Sequence, residues 1–82
     1  MEYYYKGKKT TEDFTEFLAN LLEEEEHPII EDNMELFIEM CDKNKFPKRY
    51  YTENMIDFDK IIEDEEYLEE VIIAYDIDKH KY

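Results

Sequence analysis

The pattern Asp57-x-Asp59, followed by Glu63 and Asp64, is the nearest this chain comes to a site for chemistry. Carboxylates at that spacing open a calcium loop, where successive oxygens wrap a hard cation. The loop also requires Gly at its sixth position and Glu at its twelfth. No Gly stands at the sixth, and Leu68 occupies the twelfth, so no specific metal site is expected. The other chemical candidates are fewer still. The chain has no serine and a single cysteine, Cys41, on the apolar face of an expected helix, where a buried thiol is inert. His27 stands at no recognisable catalytic spacing from Cys41, and His80 lies in the terminal tail. Gly7 is the only glycine, which excludes a phosphate-cradling Gly-rich loop. The chain reads as non-enzymatic, with no cofactor and no disulfide.

What the acids can generate is a field. Twelve Asp or Glu and no Lys or Arg lie between Thr10 and Asp42, and eleven more acids against Lys60 alone lie between Glu53 and Asp78. The formal net charge is −14 over 82 residues. A field of that sign attracts cationic surfaces and repels nucleic acid and anionic lipid. Several acids also stand where they weaken a helix. Glu12 and Glu16, Glu35 and Glu39, Asp59 and Glu63, Glu65 and Glu69, and Glu66 and Glu70 are like-charge pairs four apart, each costing about 0.2–0.5 kcal/mol. Any one pair is simply a solvated helix face. The five together, with the tracts Glu23–Glu26 and Glu63–Glu66, point to a functional reason for the charge.

The elements that carry these acids follow from periodicity. Aromatic residues make up 16% of the chain, too many for a disordered acidic tail, and residues 1–82 read as one small domain. Tyr3 to Tyr5 predict a strand broken at Gly7. Thr10-x-x-Asp13 has the form of a capping box, opening a helix over about 11–25 with Phe14, Phe17, Leu18, Leu21 and Leu22 on one face. Pro28 ends it. Asp32-x-x-Glu35 opens a second helix over about 33–43, and Asn44–Lys48 is a loop. Arg49–Thr52 reads as extended, with Thr52 or Asn54 capping a third helix. That helix runs to about residue 69, and the branched run Val71–Ile77 then predicts a strand that pairs with Tyr3–Tyr5. The expected fold class is α+β and mostly helical: two to three helices, with a short N-terminal strand pairing a C-terminal strand. An all-helical bundle is the alternative.

In size, acidity, richness in Tyr, Glu, Asp, Ile and Lys, and lack of catalytic residues, the chain resembles small phage-encoded inhibitors that act as DNA mimics. These include anti-CRISPR proteins, uracil-DNA glycosylase inhibitors and anti-restriction proteins. The Lys-over-Arg, Ile-rich usage is similar to that of phages of low-GC Gram-positive bacteria. The likeness is one of whole-chain composition, so no residue correspondence comes with it. It implies a non-enzymatic inhibitor that covers the cationic nucleic-acid-binding surface of a host defence enzyme, a CRISPR effector nuclease first. No direct contact with nucleic acid or membrane is implied.

The field argument puts the partner-binding residues at Glu23, Glu24, Glu25, Glu26, Asp57, Asp59, Glu63, Asp64, Glu66 and Glu70. Tyr50, Tyr51 and Tyr67 are further contact candidates, weighed against burial in the core. Lys43, Lys45, Lys48 and Arg49 are expected to pair with acids of this chain or of a second copy. Two rival readings stand beside the mimic. One is an acidic interaction module, such as an antitoxin, an anti-sigma-like factor or an accessory subunit with a basic partner. The other is a phage regulatory homo-oligomer, a homodimer for instance, joined through Cys41 and apolar helix faces. The N-terminal residues lack the charged and apolar regions of a signal peptide, so the bacterial host cytoplasm is the expected location.

Overall fold

A computed structural model describes residues 2–81. Bulky aromatic side chains suit a pleated, half-buried surface, and Tyr3–Tyr5 forms strand β1. Lys6 and Gly7 come next with φ of 53° and 74°, the left-handed pair that a two-residue hairpin turn requires. Strand β2 (Lys8–Thr10) returns antiparallel, with Tyr3 opposite Thr10. A second hairpin is built the same way from β3 (Tyr51–Thr52) and β4 (Met55–Asp57), with Glu53 and Asn54 at φ of 53° and 69°. The two hairpins join through a parallel pairing of β1 and β4, Tyr3 beside Ile56, giving the sheet order β2-β1-β4-β3.

Helix α1 (Phe14–Glu24) is capped by Asp13, whose carboxylate accepts from Thr15 N at 2.9 Å and Glu16 N at 3.3 Å. Thr10 is therefore not the cap that the box pattern suggested. It ends β2, and its hydroxyl accepts from Glu12 N instead. Pro28, expected only to stop α1, opens a short helix α2 (Pro28–Asp32), where its missing N–H costs nothing. Asn33 separates α2 from α3 (Met34–Asp42) and donates its side-chain amide to Ile29 O at 2.9 Å. The Asp32-x-x-Glu35 box is not used. After the left-handed Asn44 (φ 51°) the chain reaches a 3-10 turn, Lys48–Tyr50.

The C-terminal third departs most from expectation. Residues 55–57 are strand, not helix, and neither Thr52 nor Asn54 caps the next helix. Asp57 does: it opens α4 (Phe58–Glu63) by accepting from Asp59 N at 3.0 Å. After Asp64 the chain enters α5 (Glu65–Lys79), so Val71–Ile77 is helical and the expected C-terminal strand does not form there. Two facts explain this. The place beside Tyr3–Tyr5 is filled by Met55–Asp57, and Leu68 and Ile72 are buried only at helical spacing. The mostly helical α+β class holds, with five helices in place of two or three.

The core is a cluster of aromatic rings. Phe58 sits against Tyr3, Phe14, Phe17 and Phe37, with ring centroids 5.2, 5.6, 4.9 and 6.0 Å away. A second run continues from Phe37 through Phe46 and Tyr50 to Tyr67. Cys41 is buried within α3, and burial pushes its thiol well above the ordinary range. No helix among the described residues is long and apolar enough to cross a membrane.

Candidate acidic interface

Helix α1 runs out through four consecutive glutamates, Glu23 and Glu24 in its last turn and Glu25 and Glu26 just beyond, all exposed, and that turn carries no basic residue. Unpaired carbonyls make a helix C-terminus the negative end of its dipole, where carboxylates are unfavourable. A local rule broken without a compensating contact marks a feature kept for something other than stability.

Two side chains join this run to the second acidic stretch. The Tyr5 hydroxyl is pushed above its usual range by burial and by Glu25, Glu24 and Asp59 around it. Among the described residues no carboxylate hydrogen-bonds this phenol, whose hydroxyl is buried without a partner. Next to the run, His27 is 2% exposed, with neither ring nitrogen hydrogen-bonded. Its Nε2 lies 3.7 Å from Glu65 Oε1 at the start of α5. The structure therefore brings the charges of Glu24, Glu25 and Asp59 to bear on Tyr5, and sets Glu65 beside His27. Composition gave no sign of the His27–Glu65 approach, which only the tertiary structure reveals.

The ten acids singled out from the sequence divide in two. Glu23, Glu24, Glu25, Glu26, Glu63, Glu66 and Glu70 are exposed. Asp57, Asp59 and Asp64 are half-buried and hold the fold. Asp57 caps α4 and accepts from the Thr52 hydroxyl at 2.7 Å. Asp59 accepts from Lys6 N at 2.8 Å and Gly7 N at 3.0 Å, fixing the first hairpin turn against α4. Asp64 pairs with Arg49 at 3.0 Å. Asp59→Ala strips the turn of both acceptors and is expected to cost about 1–2 kcal/mol in a urea melt, whereas Glu63→Gln stays within about 0.5 kcal/mol. Equal effects from the two substitutions would erase this division.

The aromatic candidates are in the core. Tyr50 is buried, Tyr51 is half-buried, and the ring of Tyr67 is covered by the Arg49 guanidinium at 4.3 Å. Two of the four central basic residues pair within the chain: Arg49 with Asp64, and Lys43 with Glu39 at 2.9 Å. Glu39 also receives Lys79 at 2.7 Å, and hydrogen bonds from Lys79 and Lys43 hold its carboxyl down at about 2. Lys45 and Lys48 are exposed.

Among the described residues, no three His, Cys, Asp or Glu are grouped to hold a metal ion. A cleft of about 490 Å³ lies between the first hairpin and α1, lined by Lys6, Lys8 and Lys9 together with Phe17 and Leu21. It contains no nucleophile paired with a base. No protein-family model matches the chain, and neither curated proteins nor solved structures show a match to it.

Proposed function

We propose that this chain is a non-enzymatic inhibitor that lays its acidic end on the cationic nucleic-acid-binding surface of a host defence enzyme in a bacterial cell. A CRISPR effector nuclease is the first candidate. The observation that carries the reading is the exposed run Glu23–Glu26 at the C-terminal end of α1, with Glu65 of α5 brought beside the adjacent His27. Duplex DNA presents a negative charge about every 1.7 Å of axis, and enzymes that hold it answer with Lys and Arg. Carboxylates fixed on packed helices offer such a channel a comparable rigid array. Docking there relieves the self-repulsion of a chain carrying −14.

The test is a tagged pull-down from bacterial lysates, some carrying a CRISPR effector, washed at rising salt and then challenged with duplex DNA. The expected result is a stoichiometric nucleic-acid enzyme, released by DNA. Its affinity should fall about tenfold or more as salt rises from about 0.05 to about 0.5 M. A partner that is no nucleic-acid enzyme, or one held through both salt and DNA, replaces the mimic with the acidic interaction module.

A further inference from the structure

In a chain of 24 acids and 10 bases, a cation without an acid partner stands out. Among the described residues Lys9, Lys43, Arg49, Lys79 and Lys81 each pair with a carboxylate. Lys6 and Lys8 pair with none there, although Glu12 and Glu24 line the same cleft between the first hairpin and α1. The strand register separates Lys8 from Lys9. Side chains opposite each other in an antiparallel pair leave the same face of the sheet. Lys8 is opposite Tyr5, whose ring meets Phe17 of α1 at 5.0 Å, so Lys8 leaves on the α1 side. Lys9 is opposite Tyr4, on the other face, and its ammonium pairs with Glu2 at 3.4 Å. The Lys6 ammonium stands over the Tyr5 ring at 5.3 Å. Asp59 holds the turn that carries it, accepting from Lys6 N and Gly7 N. Lysines on an edge strand also guard it against pairing with another chain. That guard accounts for charge on β2, not for two cations left unpaired around one cleft.

We propose that this cleft binds a small organic phosphate whose other end is a ring bearing hydrogen-bond donors, as in a nucleoside monophosphate. Its volume of about 490 Å³ is that of a small-molecule site. Lysine presents a point charge, which suits phosphate, and two lysines match a dianion. Phe17 and Leu21 give the ring an apolar wall. Glu12 and Glu24, ionised, can only accept hydrogen bonds, so the far end of the ligand must bring donors such as sugar hydroxyls or a ring amine. The net charge does not forbid this. At physiological ionic strength charges more than about 8 Å away are largely screened, so a single phosphate responds first to the two ammonium groups beside it. A nucleic-acid strand must instead cross the acidic surface beyond. Glu24 excepted, the run Glu23–Glu26 lies outside the cleft, so the proposal does not rest on the function proposed above.

The test is a titration of the full chain with adenosine monophosphate, inorganic phosphate and adenosine, followed by the backbone amide resonances. Adenosine monophosphate should bind with a dissociation constant on the order of 0.1–1 mM. Its largest shifts should fall on the first hairpin and on Phe17–Glu24. Inorganic phosphate lacks the ring and adenosine lacks the charge, so each should bind at least about fivefold more weakly. Lys8→Gln should weaken the nucleotide about fivefold, and Lys6→Gln similarly. Lys9→Gln removes the same charge from the chain but from the other face, and should leave the affinity within about twofold. All three lysines are exposed, so the melting curves of the variants should match the parent. No shift with the nucleotide at about 10 mM overturns the proposal. Inorganic phosphate binding as tightly as the nucleotide does so too, since surface lysines then hold any anion. Adenosine binding as tightly as the nucleotide, or Lys9→Gln as damaging as Lys8→Gln, has the same consequence.

Discussion

Phe58→Ala is expected to cost about 3–5 kcal/mol, the range for removing a buried aromatic side chain. The ring is fully buried and rests on Tyr3, Phe14, Phe17 and Phe37, so it joins β1, α1 and α3 to the start of α4. Domains hold about 0.05–0.15 kcal/mol of stability per residue, which for this length is about 4–12 kcal/mol. The self-repulsion of −14 pulls this chain toward the lower end. The variant should lose its cooperative melt at room temperature, or melt about 15–30 °C below the parent by circular dichroism. Phe58→Leu, which keeps most of the volume, should cost far less. A Phe58→Ala variant melting within a few degrees of the parent would show that the aromatic cluster does not organise this fold.

Replacing Glu23, Glu24, Glu25 and Glu26 together by Gln should raise stability and lower binding. Gln and Glu have similar helix propensity, so the backbone preference hardly changes. Four charges leave the unfavourable end of α1, and the melting temperature should rise by several degrees at low salt. The gain should shrink toward zero near about 0.5 M salt, where the removed repulsion was already screened. Against a cationic nucleic-acid enzyme the same variant should lose about 10–100-fold in affinity at physiological ionic strength. Opposite signs in the two measurements separate an interface from a folding defect. If affinity is unchanged while stability rises, the glutamates are only a solvated end of α1, and the partner surface lies elsewhere.

The exposed and the structural acids could not be told apart in the sequence because what a carboxylate meets, water or a distant backbone N–H, is set by the tertiary fold. Asp57-x-Asp59 has the look of a partial cation loop, yet its spacing is also that of a cap followed by a first-turn acid. Asp57 serves as that cap, and Asp59 reaches across to a hairpin turn distant in sequence. The run Glu23–Glu26 was plain from its composition, because nothing apolar interrupts it and it follows a well-marked amphipathic helix.

Features that depend on neighbours along the chain were legible before any fold was known. They are the acidic field, the α1 face of Phe14, Phe17, Leu18 and Leu21, the burial of Cys41, and the absence of a Gly-rich loop. Helical periodicity and charge are sums over near residues, and near residues are all a sequence displays. The fate of Val71–Ile77 was decided by packing. Its branched residues favour a strand, but three residues of β4 take the place beside β1, and burying Leu68 and Ile72 holds the segment in α5. The same packing turns Ile73 and Ile77 outward and sets Glu65 beside His27, next to the run Glu23–Glu26. Those outcomes are settled by competition between distant segments for one sheet edge and one core, a term that no local propensity contains.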